Sequence, residues 1–174
     1  MNNRVGDFGL AKFLGGVIIN VESGHHTPST SVGIRGSVGY AAPEYGMGRD
    51  VLSTHGDVYS YGIMVVEIFT GRRPTDDIFT DGLNLHTFAK TALLQDHVMK
   101  IVDSTLPGHV CLEDGNNTIA PITVENETKL CEALARILNI GVMCSIESPN
   151  ERMEMAEVTK ELQSIMKGYL SRLG

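Results

Sequence analysis

The chain has 174 residues, 42% of them hydrophobic, and a formal net charge of −7. That length supports one domain with a real core. The acidic balance speaks against nucleic acid or an anionic membrane as a bulk electrostatic partner, though not against a local basic pocket. Three cysteines, Cys111, Cys131 and Cys144, are odd in number and lack metal-type spacing, which fits a reducing compartment. Residues 1–6 carry no signal-peptide run and no stretch approaches a membrane span, so the chain as written is expected to be cytoplasmic and without a membrane anchor.

In chain order, the first motif is Val5-Gly6-Asp7-Phe8-Gly9-Leu10-Ala11-Lys12. From Gly15 to Ser31 the composition turns to Gly, Ser, Thr and His with little periodicity, and predicts a long mobile loop. His25-His26 and His109-x-Cys111 lack further ligands at useful spacing and predict no metal site. Gly33-Ile34-Arg35-Gly36-Ser37-Val38-Gly39-Tyr40-Ala41-Ala42-Pro43-Glu44-Tyr45 follows. The next element dominates the chain: a helix over 57–70, with Asp57 as N-cap and Gly71 closing it. Its apolar residues cover every side of the wheel, which predicts a helix packed on all faces. At 1.5 Å per residue it is roughly 20 Å long, too short for a bilayer.

Beyond Pro74 the apolar spacing predicts a surface helix over 83–94 and a short one over 98–102. Residues 103–125 are polar, with Gly, Pro and Asn, and predict a long exposed loop. A strong helical pattern returns over 128–145, a turn over 148–153, and a last amphipathic helix over 154–170 with Met155, Val158, Leu162, Ile165 and Met166 inward.

An Asp-Phe-Gly, a long loop, an Ala-Pro-Glu and an Asp-initiated apolar helix, in that order, resemble the C-terminal lobe of a eukaryotic protein kinase. The wording of Gly33–Gly46, Gly56–Gly62 and Thr70-Gly71-Arg72-Arg73-Pro74-Thr75-Asp76 is closest to plant leucine-rich-repeat receptor-like Ser/Thr kinases. The resemblance runs from about Val5 to the C-terminus. It implies a mainly α, kinase-like C-terminal lobe around the buried helix 57–70, with the N-terminal lobe absent. The activation segment would be 7–44 and the helical lobe 45–174, together a partial kinase domain. In this family the parent enzyme transfers the ATP γ-phosphoryl group to protein Ser/Thr at the cytoplasmic side of the plasma membrane.

Residue by residue, the resemblance makes Asp7 the magnesium ligand, where a hard cation takes carboxylate oxygen. Phe8 would pack under the nucleotide and Gly9 would allow the segment to flip. Ser37, Gly39 and Tyr40 would form the substrate platform of a Ser/Thr-directed enzyme. Pro43 with Glu44 closes the segment, and Glu44 with Arg152 forms a structural ion pair. Asp57 would hold the backbone of the catalytic loop. Ser29, Thr30, Ser31 and Ser37 are candidate phosphorylation sites, with Arg35 near to receive a phosphate.

The glycine-rich loop, strand lysine and catalytic loop that phosphoryl transfer needs are not found, since six residues precede Asp7. The chain by itself is therefore expected to be catalytically incompetent, to bind neither magnesium nor ATP tightly, and to be marginally stable. The alternative expectation is a non-catalytic module that binds a protein substrate or a related kinase. The connection 48–57 is one residue longer than usual for the family and is expected to be a surface loop.

Overall fold

The computed structural model describes residues 39–47, 53–106 and 124–170. Asp7, Phe8, Gly9, Ser29, Thr30, Ser31 and Ser37 lie outside the described residues, as do 107–123 of the expected loop. All described residues fall in one compact unit, 32–174. Among them there are helices and no strands.

The helix expected over 57–70 forms as α1, Thr54–Thr70. Its start corrects the sequence reading in two ways. Ser53, with φ −131 and ψ 153, is the N-cap, and its side chain makes no capping bond. Asp57 instead sits in the first turn, where its charge still favours the positive end of the helix dipole. Tertiary contacts hold the extra turn: the Tyr45 hydroxyl donates to the Ser53 carbonyl at 3.3 Å, and the Arg152 guanidinium donates to the His55 carbonyl at 2.7 Å. The tail of the expected 48–57 loop is thus helical. At the other end Gly71 adopts φ +65, and its N–H donates to the Glu67 carbonyl at 2.8 Å.

A second correction concerns the wheel of α1. Ile63, Val65 and Val66 are buried, but Met64 is 47% and Ile68 57% exposed. One apolar face therefore has no cover among the described residues.

After α1, Asn84 and Thr87 form a reciprocal capping box that starts α2, Leu85–Leu94, and leaves Leu83 outside the helix. The box satisfies two otherwise orphaned donors. α2 buries Leu85, Ala89 and Ala92, while Phe88 meets Phe79 edge-on at 5.9 Å. α3 is a single turn, Val98–Ile101, that sinks Val98.

The longest helix, α4, runs Val124–Cys144, four residues earlier than its apolar pattern begins. It builds two cores. Leu134, Leu138 and Val142 join Ile63, Val66, Leu85, Ala89 and Val98. Ile140 and Cys144 instead face Val158 and Ile165 of α5, Met155–Leu170. The role of central axis is thus shared between α1 and α4, which lie against each other more extensively than any other pair.

Two glycines make that approach possible. A Cβ on Gly62 would come within 2.6 Å of the Gly141 carbonyl, and one on Gly141 within 2.7 Å of Val66 Cγ2. The exit of α4 is fixed by a polar relay. Ser145 Oγ donates to the Gly141 carbonyl at 2.8 Å, so its contact with His86 Nδ1, also 2.8 Å, requires the proton on the imidazole nitrogen. Burial, ahead of nearby Lys90, pushes the His86 pKa down.

α5 corrects the expected inward set. Val158 and Ile165 are buried, but Met155 and Met166 are 43% and 55% exposed. Met155 stands at the helix start, and Met166 lies one residue, about 100° of turn, off the stripe that Ile165 occupies. At the surface Arg136 clips α4 to α5 through Glu161, 2.8 Å, and Ser164, 3.0 Å.

Candidate functional site

Residues 39–47 lie along α1 and are tied to it at both ends. Gly39 takes φ +87, a conformation that side chains resist. It also touches Pro74 so closely that a Cβ would stand 2.7 Å from the Pro74 Cβ. Tyr40 is then held twice. Its hydroxyl donates to Glu67 Oε2 at 2.6 Å, and its carbonyl accepts from Ser60 Oγ at 2.8 Å. Ser60 and Glu67 are seven residues apart, two helical turns, so both point from one face of α1 toward the segment. The hydrogen bond to the Glu67 carboxylate, with burial, pushes the Tyr40 phenol up to about 12.

Further on, Ala42 is buried and Pro43–Met47 form a 3-10 turn. That turn presents Glu44 to Arg152, whose side chain is wholly buried. The guanidinium spends all five N–H groups. Two go to Glu44 Oε1 and Oε2 at 2.7 Å each. Nε donates to the Ile146 carbonyl at 2.7 Å, and the remaining two reach the carbonyls of His55 and Glu147 at 2.7 and 3.0 Å. The Tyr59 ring lies 5.0 Å from the guanidinium carbon, adding a cation–π contact. The bond from Arg152 holds the Glu44 carboxyl below the usual carboxylate range, against the opposing effect of its burial.

Of the residues singled out from sequence, the structure therefore brings together Gly39 and Tyr40 at one end, and Pro43, Glu44 and Arg152 at the other. Asp57 stands apart. It is exposed and lines an open cleft of 720 Å³ with Val58, Tyr61, Arg152 and Met153. Sequence reasoning passed over Ser60, Glu67 and Tyr59. The signal was present: two polar side chains a heptad apart on an otherwise apolar helix need polar partners. Among the described residues no group of three His, Cys, Asp or Glu could hold a metal ion. No helix there is long and apolar enough to cross a membrane.

Among the described residues the arrangement is one of position. It provides a short segment, rigidly held against a buried helix, and comparisons give that geometry its context. One solved structure, the pseudokinase domain of BIR2, described as an immune regulator of the RLK/Pelle family, matches 75% of the chain with TM-score 0.54 at 22% identity, using 34% of that domain. At that identity the match shows the fold.

Similar sequences include a putative receptor-like protein kinase of Arabidopsis thaliana, 41% identical over 95% of the chain and 14% of that protein. The receptor kinase-like protein Xa21 of Oryza sativa subsp. japonica is 37% identical over 93% of the chain and 15% of that protein. The LRR receptor-like serine/threonine-protein kinase EFR of Arabidopsis thaliana is 38% identical over 97% and 14% respectively. The chain thus spans a small part of the length of these relatives. The family model for protein tyrosine and serine/threonine kinases matches residues 1–162, which take in both ends of the tethered segment and the arginine that clamps it, and the chain belongs to that family.

Proposed function

We propose that these residues form the C-terminal part of a Ser/Thr protein kinase domain of the receptor-like type, and that Gly39 and Tyr40, with Ser37, are its platform for a protein substrate. The observation that supports this most is the two-ended tether of residues 39–44, through Tyr40 to Glu67 and Ser60 and through Glu44 to Arg152. A peptide hydroxyl must be held within about 3–3.5 Å of a phosphoryl group to react, so the surface beside it has to be stiff. In this reading Asp7 would hold magnesium, which neutralises charge on the nucleotide phosphates, and Asp57 would face the catalytic loop across its cleft.

The 174 residues alone supply no phosphate-binding loop or catalytic loop and should transfer no phosphate. The test is γ-phosphate transfer to a general Ser/Thr acceptor protein. It would be measured for the chain alone and for the chain joined to the coding sequence upstream of Asp7 in its own transcript. The expected result is transfer only by the joined form, abolished by Asp7→Ala. An active joined form indifferent to Asp7→Ala would overturn the assignment.

A second reading, a non-catalytic module binding a substrate or a related kinase, is favoured by the exposed Met64 and Ile68 on α1. It predicts that the chain alone binds such a protein without nucleotide.

A further inference from the structure

Arg136 of α4 reaches across to α5 and is only partly spent there. Glu161 Oε1 sits in one fork of the guanidinium, 2.8 Å from Nε and 2.8 Å from Nη2. The second N–H of Nη2 donates to Ser164 Oγ at 3.0 Å. Both N–H groups of Nη1 are without a partner among the described residues. A guanidinium has two such forks, each matched to a pair of anionic oxygens. In Arg136 the Nε–Nη2 fork holds a carboxylate, while the Nη1–Nη2 fork holds one neutral hydroxyl by its edge.

Ser164 itself is exposed. Lys160 and Lys167, also exposed, lie four residues before it and three after, one turn away on the same side of α5. The hydroxyl thus stands in a positive surround on a chain whose formal net charge is −7. Glu161, one turn before it, is the opposing charge, and Arg136 already pairs with it.

We propose that Ser164 is a phosphorylation site, and that its phosphate closes on the unfilled fork of Arg136 and turns a weak surface clip between α4 and α5 into a strong one. A Ser/Thr-directed kinase supplies the group from ATP. The bond from the γ-phosphorus to the ADP oxygen breaks, a bond from that phosphorus to Ser164 Oγ forms, and the hydroxyl proton leaves to that kinase's base. The product adds about −1.5 to −2 charges and three acceptor oxygens. A phosphate in the fork is charge-assisted on both sides, and such bonds are about twice as strong as the neutral kind. Glu161 keeps its own fork, so the new bond is gained without losing the old one. A lone exposed ion pair contributes little, but two anions on one arginine make a network. Access comes from the helix end. α5 stops at Leu170, and between 161 and 169 only Ile165 is buried, so opening the last turns frees Ser164 while Val158 stays in its core. Nothing in this clasp depends on the platform of residues 39–44.

The test has two arms. In the first, the full chain is isolated from plant cells expressing it, with phosphatases inhibited, and its peptides are weighed. Phosphate on Ser164 is expected, and its absence there overturns the site. In the second, phosphoserine is installed at position 164 of the full chain by codon reassignment, folding being checked by circular dichroism. The folding equilibrium constant from a urea titration should rise on the order of threefold or more over the unmodified chain. On an Arg136→Gln background phosphate should bring no gain or a loss, because Glu161 then repels it. On Glu161→Gln the gain should grow. An equal effect of phosphate with and without Arg136 overturns the clasp, as does a loss of stability when Arg136 is present. A ³¹P titration answers independently of the urea midpoint. The second ionisation of the phosphoserine should fall below its value in urea, and that shift should vanish in Arg136→Gln. A value equal to that in urea overturns the capture.

Discussion

Arg152 shows how one side chain can decide the placement of two elements. Its five donors are all used within 3.0 Å, and they join the 3-10 turn at Glu44, the first turn of α1 at His55 and the loop after α4 at Ile146 and Glu147. Removing one half of a buried pair leaves a desolvated charge behind. Arg152→Ala should therefore cost about 3–5 kcal/mol, read as a shift in the urea midpoint. Arg152→Lys should recover only part of this, because an ammonium cannot occupy the planar fork.

Tyr40 makes a different prediction, on the alkaline side. Its pKa is raised from 10.0 to about 12 by the bond to Glu67, so the folded state resists ionisation that the unfolded state accepts. The contribution is full below pH 10 and is lost as pH rises through about 12. The stability advantage of the parent chain over Tyr40→Phe should accordingly be constant from about pH 7 to 9 and shrink above about 10. A difference that stays constant through about pH 11.5 would contradict the geometry.

Elements meet here by close backbone approach as much as by side-chain bulk. The crossing of α1 over α4 depends on Gly62 and Gly141, and the obstruction a Cβ would meet at Gly62 is backbone, the Gly141 carbonyl at 2.6 Å, which cannot rotate away. Gly62→Ala should destabilise by about 1–3 kcal/mol, the usual penalty for overpacking. Gly168 in α5 is the internal control. A Cβ there meets nothing within 4 Å, so Gly168→Ala should gain up to about 1 kcal/mol from helix propensity. Paired thermal melts would separate the two signs.

The boundaries of the helices were legible where a local device sets them. Gly71 stops α1 by adopting φ +65, as its position after the apolar run implied. They were not legible where distant residues intervene. Ser53, a residue type that caps helices, precedes Thr54 but makes no capping bond, and the turn that Thr54 begins is held instead by Tyr45 from one side and Arg152 from another. An Asp before an apolar run looks the same whether it caps a helix or sits in its first turn.

At the scale of the molecule, α4 contributes to two cores, one shared with α1, α2 and α3 and the other with α5, and Val58 and Tyr61 of α1 pack against the second as well. The composition allowed a real core, and the structure has one. The side of α1 bearing Met64 and Ile68 is left open among the described residues. Surface changes away from buried features alter stability by no more than about 0.5 kcal/mol. Met64→Lys with Ile68→Lys should therefore leave the urea midpoint nearly unchanged and raise the soluble fraction of the expressed chain. A large loss of stability instead would mean that this face is covered within the chain.

By itself the sequence determined the kind of protein this is. The order of Asp7-Phe8-Gly9, Ala42-Pro43-Glu44 and the apolar helix, with their wording, was enough to place it among kinases, because such motifs are local and survive reading one residue at a time. It also determined which helices form, since periodicity is a property of neighbours in the chain. Only the tertiary structure decided that α1 and α4 share the centre, that Met155 and Met166 face outward, and that Ser60 and Glu67 hold Tyr40. Those outcomes depend on which surfaces meet: the heptad spacing of Ser60 and Glu67 shows that both need polar partners, but not that the partner is Tyr40, 20 and 27 residues away.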